Sequence, residues 1–326
     1  MTCNNERIPD ELITRIQDAK NIIIVSHKNC DGDSLGSVIA LQRSLPSMGK
    51  NVFVPAPTEF PQRYDFMRKY SNSWGVIPTQ YDTIIAVDCS NMERIEWGDI
   101  HPEINDAIII NIDHHEVNEN FGHINWVNPA EPAVGTMIYK LLRELSVPVD
   151  TYTANALYVA IMTDTGRFSF NNTNSDALKI AGELIEFGAD PKALTTEVYF
   201  NFSESYLRNI GIALFNSRSF HRGRILFLTL DRAAMRNFST TPEDSEGIID
   251  FAMAVRNVDV AVLFKELAPN RVRLSFRSRR GIDIVKVAEF FGGGGHPNAA
   301  GCTINSNLAT AQKSVLENIR KLLGYK

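Results

Sequence analysis

The feature that most constrains the fold is the stretch 108–115, which reads IIINIDHH. Three consecutive isoleucines are too few to cross a membrane and too apolar for a surface strand, so the stretch predicts a fully buried strand of a parallel sheet. Parallel strands deliver the residues that follow them to a crevice at their carboxyl ends. Here those residues are Asp113, His114 and His115. Because such groups are costly to bury alone, they indicate binding to a metal ion or to one another.

Other apolar runs end in the same kind of residue. The run 21–26 (NIIIVS) leads directly to His27, and the run 83–87 (TIIAV) leads to Asp88. Asp164 is predicted at the carboxyl end of a helix, where the helix dipole disfavours an acid. A nearby cation would explain its presence, although an exposed aspartate there would cost little. Nothing in the stability of the fold requires three predicted strands to end in Asp or His.

The loop after His27 adds two carboxylates, Asp31 and Asp33, separated by Gly32. A structural explanation stays open for each acid taken alone, because Asp31 and Asp33 can cap the helix that follows and Asp88 can form a turn. Taken together, the residues are enough for two metal ions that share a bridging carboxylate. A nitrogen and oxygen ligand set suits Mn²⁺ or Mg²⁺, and Zn²⁺ less distinctively.

The order of predicted elements indicates two α/β domains. Strands alternate with helices in the first part, which predicts a parallel sheet with right-handed crossovers. From about residue 224, strands follow one another and predict a smaller α/β domain on a mixed sheet. We predict a metal-binding catalytic domain at 1–202, a helical linker at 203–221 and a substrate-binding domain at 222–326. The active site is predicted in the cleft between the domains.

Composition excludes several classes of protein. No apolar run approaches the ~20 residues that span a bilayer, and the first residues lack the zones of a signal peptide. The four cysteines have no Cys-x-x-Cys spacing, which indicates a reducing, cytoplasmic location. From His221 onward there are 16 Lys and Arg against 10 Asp and Glu, whereas the preceding part has 17 against 28. This asymmetry suits cations in the first part and anions in the second, although two solvated surfaces of different sign would look the same.

At these residues the sequence resembles the DHH phosphoesterase superfamily. The resemblance runs through His27-x3-Asp31-Gly-Asp33, Asp88, Asp113-His114-His115 and Asp164, and the stretch 292–301 (GGGGHPNAAG) resembles the signature of the associated DHHA1 domain. Together these motifs span nearly the whole chain.

The resemblance implies a role for each residue of the first domain. One metal ion would bind His27, Asp31 and Asp88, and a second would bind Asp33, Asp88, His114 and Asp164. Asp113 would orient this centre, and His115 would contact the scissile phosphate. The implied cofactor is two Mn²⁺ ions, with Mg²⁺ or Co²⁺ as substitutes.

In the second domain, the resemblance implies substrate binding by Arg277 and Ser278 and by Gly293, Gly294, Gly295 and His296. The glycine amides would form a phosphate cradle with His296, and Arg277 could bind phosphate through two hydrogen bonds. Strand alternation places Ser278 on the face opposite Arg277, a conflict that a β-bulge or a strand end would resolve.

The implied activity is that of the nanoRNase and pAp phosphatase subgroup. Such enzymes hydrolyse very short RNA to mononucleotides and 3'-phosphoadenosine 5'-phosphate (pAp) to AMP. The chain has no extended basic track with interleaved aromatic residues, which argues against binding long nucleic acid. A homodimer is compatible with the sequence, and no membrane partner is expected.

Four alternatives were compared with this activity. The same centre could cleave cyclic dinucleotides, or the linear dinucleotides pApA and pGpG. A soluble pyrophosphatase is disfavoured by the glycine-rich second domain, and a RecJ-like exonuclease by the length of the chain. A catalytically silent nucleotide-binding regulator belongs to a different class, and the complete set of proposed ligands argues against it.

Overall fold

The structure is a computed structural model that describes residues 7–72, 74–75, 78–98, 107–242, 244–245, 247–279 and 281–325. The described residues form two compact units that divide between Asn201 and Phe202. Across these ranges, every helix is too short or too polar to cross a membrane.

The first unit contains a five-stranded parallel sheet with the strand order β2-β1-β3-β4-β5. Its strands are β1 Asn21–Val25, β2 Asn51–Phe53, β3 Thr83–Val87, β4 Ile108–Asp113 and β5 Ile124–Val127. Its α-helices are α1 Asp10–Asp18, α2 Gly32–Ser44, α3 Val134–Glu144, α4 Thr151–Asp164, α5 Ser175–Glu186 and α6 Pro191–Tyr199. Short 3₁₀ segments lie at Leu45–Met48, Gln62–Tyr70 and Met92–Arg94.

The central strands are buried, as their continuous apolar sequences predict. Ile24 of β1, Ile85 of β3 and Ile110 of β4 are fully buried. Strand β1 lies between β2 and β3, so the strand order reverses at the β1–β3 pair. In open α/β sheets, ligands bind at the carboxyl ends of the strands beside such a reversal.

The second unit contains a six-stranded mixed sheet with the order β10-β11-β9-β8-β7-β6, in which β7 and β8 are parallel and the other pairs antiparallel. Its strands are β6 Arg218–Phe220, β7 Ile225–Leu230, β8 Val260–Ala268, β9 Arg271–Ser278, β10 Gly294–His296 and β11 Ala299–Ile304. Its helices are α7 Glu204–Phe215, α8 Arg232–Asn237, α9 Ile248–Met253, α10 Val285–Phe290 and α11 Leu308–Leu322. The predicted α/β class with a parallel and a mixed sheet is confirmed.

The segment predicted as a helical linker, 203–221, differs from that prediction. Helix α7 ends at Phe215, and Arg218–Phe220 form an edge strand paired antiparallel with β7. Tyr206 and Ile212 of α7 are buried in the same apolar cluster as Leu228 of β7. The apolar face of α7 therefore packs within the second unit.

Candidate active site

The side chains predicted as metal ligands lie together at the carboxyl edge of the first sheet. Within each of three groups, one nitrogen or oxygen atom from every residue lies within 4.8 Å of the others. These groups are His27, Asp31 and Asp88; Asp33, His114 and Asp164; and Asp88, His114 and His115. Because Asp88 and His114 each occur twice, the groups form one continuous cluster.

His27 and Asp88 follow the neighbouring strands β1 and β3. The Nε2 atom of His27 lies 3.3 Å from Oδ2 of Asp88 and 3.9 Å from Oδ1 of Asp31. Nδ1 of the same ring lies 2.7 Å from the carbonyl oxygen of Lys28, which directs Nε2 toward the carboxylates. Asp88 has a φ of 55°, a sparsely populated conformation for a residue other than glycine.

Asp31 and Asp33 begin α2 and have different surroundings. Asp31 is the helix cap, and its Oδ1 accepts hydrogen bonds from the amides of Asp33 and Ser34, each at 3.0 Å. Asp31 therefore caps helix α2, as one of the two explanations from the sequence predicted. Its carboxylate also lies beside His27, so the two roles are compatible. Asp33 is almost fully buried, and it accepts from the amides of Val134 at 2.7 Å and Gly135 at 2.8 Å.

His114 lies among three carboxylates. Its Nε2 is 3.9 Å from Oδ2 of Asp33, 3.8 Å from Oδ1 of Asp88 and 3.6 Å from Oδ2 of Asp164. Its Nδ1 lies 3.1 Å from the carbonyl oxygen of Glu131, which fixes the orientation of the ring. The separations from Nε2 are too long for hydrogen bonds and leave room for a shared ion between the atoms.

Asp113 and His115 form a connected pair. Asp113 is fully buried, and its Oδ1 accepts from the backbone amide of His114 at 2.8 Å and from Nδ1 of His115 at 2.7 Å. Its Oδ2 accepts from Nδ2 of Asn118 at 2.5 Å. The hydrogen bond that the His115 ring donates to Asp113 raises the pKa of His115, although burial opposes this. His115 is thereby held by Nδ1, so that Nε2 can donate to an anion.

The electrostatics of the cluster fit a divalent cation. Burial, followed by the charges of Asp88 and Asp164, raises the pKa of Asp33. Burial and the neighbouring Asp88 and Asp31 also raise the pKa of Asp164 to about 7, against the opposing effect of His114. These carboxylates therefore repel one another when ionised. A bound divalent ion would relieve that repulsion, and the nitrogen and oxygen donors suit Mn²⁺ or Mg²⁺.

Sequence reasoning missed several residues that support this site. The side chains of Asn118 and Asn172 donate to Asp113 and Asp164, and the carbonyl oxygen of Glu131 accepts from His114. These residues lie in loops with no periodic pattern, so the sequence carried no signal for them beyond proximity to the motifs.

Arg94 was also missed. Its Nη1 lies 3.4 Å from Oγ of Ser90, and among the described residues it forms no ion pair with a carboxylate. The positive charge of Arg94 opposes protonation of the nearby His115. A cation without a carboxylate partner beside an acidic cluster is suited to binding an anion.

In the second unit, Arg277 and Ser278 occupy opposite faces of β9. Arg277 is partly exposed, and its Nε lies 3.4 Å from Oδ1 of Asp250. Ser278 is buried, and its hydroxyl donates to the carbonyl oxygen of Ile282 at 2.7 Å. Strand β9 ends at Ser278, and this end does not bring the two side chains to one face. The structure thus places Ser278 where it fixes a loop.

Two residues of the glycine run that the sequence predicted as a phosphate cradle, Gly294 and Gly295, lie in strand β10. Gly294–His296 pair with β11, and the amide of Gly293 already donates to the carbonyl oxygen of Ala288 at 2.9 Å. A Cβ atom on Gly293 would lie 2.1 Å from the carbonyl oxygen of Gly301, and one on Gly295 would lie 2.5 Å from that of Ala299. Close backbone packing therefore accounts for these two glycines. The side chain of His296 lies outside the described part of the chain.

The fold and the cluster define an α/β protein with a histidine and aspartate centre at the carboxyl edge of a parallel sheet. The DHH family, N-terminal domain, matches residues 21–161, and the DHHA1 domain matches residues 224–324. Together with the relatives described next, these matches show that the chain belongs to the DHH family, which confirms the resemblance seen in its motifs.

Known relatives align over nearly the whole chain. The bifunctional oligoribonuclease and PAP phosphatase NrnA of Thermus thermophilus is 33% identical over 306 residues, which cover 93% of this chain and 90% of the relative. The protein of the same description from Bacillus subtilis is 29% identical over 305 residues, covering 91% and 93%. A crystal structure of an exopolyphosphatase-related protein from Bacteroides fragilis has a TM-score of 0.86 at 28% identity and covers 97% of each chain.

Proposed function

We propose that this chain is a metal-dependent phosphoesterase that hydrolyses short RNA oligonucleotides to mononucleotides and pAp to AMP. The observation that carries the proposal is the convergence of the DHH residues into one cluster, in a chain that aligns almost end to end with relatives named for both activities. The cluster supports hydrolysis at phosphorus, and the relatives support short nucleotides as the substrate class.

The proposed cofactor is a pair of Mn²⁺ ions, for which Mg²⁺ or Co²⁺ could substitute. His27, Asp31 and Asp88 would hold one ion, and Asp33, Asp88, His114 and Asp164 would hold the other. When bound, such ions lower the pKa of water and neutralise charge that develops on phosphoryl oxygens. The mutual repulsion of the buried carboxylates supports this assignment.

The remaining residues of the cluster would act on the substrate directly. Asp113 holds Nδ1 of His115 at 2.7 Å, so we assign Nε2 of His115 to a non-bridging oxygen of the scissile phosphate. A hydrogen bond from this ring would stabilise the negative charge that develops during attack on phosphorus. Arg94 adds a second positive group beside His115 that suits the same phosphate.

The DHHA1 unit would contribute to substrate binding. We assign Arg277 to a terminal phosphate because its guanidinium is partly exposed on the polar face of β9. Ser278 and the glycines Gly293 and Gly295 would act by fixing the local backbone, and Gly294 and His296 stay predicted substrate contacts. A cytoplasmic location and a homodimer likewise stay predictions.

A substrate panel tests the proposed function. The metal-stripped protein is supplied with Mn²⁺ and offered pAp, RNA of two or more residues, cyclic dinucleotides, pGpG, pApA and pyrophosphate. We expect preference for RNA of two to a few residues together with release of phosphate from pAp. Selective turnover of pyrophosphate or of a cyclic dinucleotide would overturn the proposal. Nucleotide binding without turnover of any compound would instead indicate a silent regulator.

A further inference from the structure

The segment 128–136 comprises the connection from β5 to α3 and the first three residues of α3, and it is hydrogen-bonded, directly or through one side chain, to Asp33, His114 and Asp164. These three residues form one of the three potential ligand groups. The segment is anchored at its start, where the amide of Asn128 donates to the carbonyl oxygen of Asp113 at 2.9 Å.

The first link runs from Glu131 to His114. The carbonyl oxygen of Glu131 lies 3.1 Å from Nδ1 of His114. The carboxylate of Glu131 is only 7% exposed, and it accepts from Nζ of Lys140 at 2.6 Å and from Oγ1 of Thr136 at 2.8 Å. Both donors lie on α3. A buried carboxylate held at both oxygens restricts the position of its own carbonyl group, and hence the rotation of the His114 ring.

The second link runs to Asp33. Both oxygens of Asp33 accept from backbone amides at the start of α3, from Val134 at 2.7 Å and from Gly135 at 2.8 Å. Because backbone amides fix geometry more tightly than mobile side chains, the carboxylate follows any displacement of the segment.

The third link runs through Asn172 to Asp164. Nδ2 of Asn172 lies 2.9 Å from the carbonyl oxygen of Pro132, 3.0 Å from that of Asp164 and 3.4 Å from Oδ2 of Asp164. Asn172 therefore joins the segment to the third member of the group.

The group formed by His27, Asp31 and Asp88 is held by different contacts. His27 contacts the carbonyl oxygen of Lys28, the carboxylate of Asp31 accepts from the start of α2, and the amide of Asp88 donates to Ile112. Within the described ranges, no hydrogen bond joins the segment 128–136 to these three ligands.

We propose that the segment 128–136, with Lys140 and Asn172, positions Asp33, His114 and Asp164, the unshared ligands of one ion site, independently of His27 and Asp31 at the other. The inference rests on the proposed two-ion centre. It adds which residues position the ligands of one of the two ions. Glu131, Lys140 and Asn172 are positioning residues, since they act through His114 and Asp164.

Mn²⁺ binding tests the inference without using activity. The metal-stripped wild-type chain and the variants Asn172→Ala and Glu131→Ala are titrated with Mn²⁺, and free Mn²⁺ is followed by electron paramagnetic resonance. Asn171→Ala is the matched control, because Asn171 is an exposed neighbour whose side chain forms no hydrogen bond within the described part of the chain. Glu131→Gln keeps the shape of the side chain and one acceptor oxygen and replaces the other oxygen with an NH2 donor, so it serves as the conservative variant.

We expect Asn172→Ala and Glu131→Ala to weaken one of two Mn²⁺ affinities by about 10- to 100-fold and to leave the other unchanged. Asn171→Ala should match the wild type, and Glu131→Gln should lie between the wild type and Glu131→Ala. Equal loss of both affinities, or no loss in Asn172→Ala, would overturn the inference. A wild-type chain that binds one ion would contradict the proposed two-ion centre, and the comparison of Asn172→Ala with Asn171→Ala would still test positioning of that ion.

Discussion

Asp164 shows at the scale of a single residue why the site calls for a cation. The residue ends α4, where the helix dipole disfavours its charge, and burial together with neighbouring carboxylates raises its pKa to about 7. In the sequence, the position of Asp164 alone was compatible with a nearby cation or with an exposed carboxylate. The tertiary structure adds the repelling partners, Asp88 and Asp31, which come from distant parts of the chain.

The raised pKa of Asp164 predicts how the stability of the metal-free protein depends on pH. The folded state retains the proton up to about pH 7, whereas the unfolded chain loses it near the ordinary value of 3.8. The unfolded state therefore binds fewer protons in this window, and the free energy of unfolding should fall as the pH rises from about 4 to about 7. Thermal unfolding of the chelator-treated protein across this range measures the slope.

Asp164→Asn provides the comparison for this slope. The variant should lose the contribution of Asp164 and should be more stable than the wild type above about pH 7, with the difference closing toward pH 4. Excess Mn²⁺ should stabilise the wild type more than the variant. Identical pH profiles for the two proteins would show that Asp164 is not the group responsible.

At the scale of elements, close packing of α2 against α4 brings Asp33 toward Asp164. A Cβ atom on Gly36 of α2 would lie 2.3 Å from the carbonyl oxygen of Ala156 and 2.9 Å from Cβ of Ala160, both on α4. Gly36 therefore permits an approach that a larger residue would prevent. This role was not evident from the sequence, in which Gly36 is one small residue within a predicted helix.

Gly36→Ala should destabilise the protein and weaken metal binding. The added methyl group meets backbone in α4, so the two helices must separate, at a cost of about 1–3 kcal/mol in the free energy of unfolding. Urea denaturation measures this change. Gly182→Ala is the matched control, since Gly182 lies within α5 and nothing lies within 4 Å of its added Cβ. The control should be stabilised by up to about 1 kcal/mol, and an equal response of both variants would contradict the packing explanation.

Some strands of the fold could be predicted from the sequence and others could not. Strands β1, β3 and β4 were predictable because continuous apolar runs specify burial on both faces, and their ends located His27, Asp88 and Asp113. The pairing of Gly294 and Gly295 with β11 was not predictable, because it depends on residues that pack against them in three dimensions. The links from Glu131 and Asn172 arise in the same way, from tertiary contacts of loop residues.

At the scale of the whole molecule, the function we propose requires both units. The first unit carries the proposed ions, and the second carries Arg277 on the polar face of β9. The family match and the relatives extend over both units, which supports a shared role in one reaction.

Arg277→Lys should separate substrate binding from catalysis. Lysine keeps the charge but loses the two-pronged geometry that suits phosphate, so KM for pAp should rise by about tenfold while kcat and Mn²⁺ affinity change little. Steady-state kinetics provide both constants. Arg273→Lys, on the same face of β9 and exposed, should behave as the wild type. Equal KM values for the wild type and Arg277→Lys would remove Arg277 from the proposed substrate site.

The most direct test of the proposed function is release of mononucleotides from an RNA dinucleotide by the metal-stripped full chain, measured before and after addition of Mn²⁺. We expect no release before addition and rapid release afterwards, with slower turnover as the RNA is lengthened. Release that is unaffected by removal of metal, or the absence of release at saturating Mn²⁺, would contradict it.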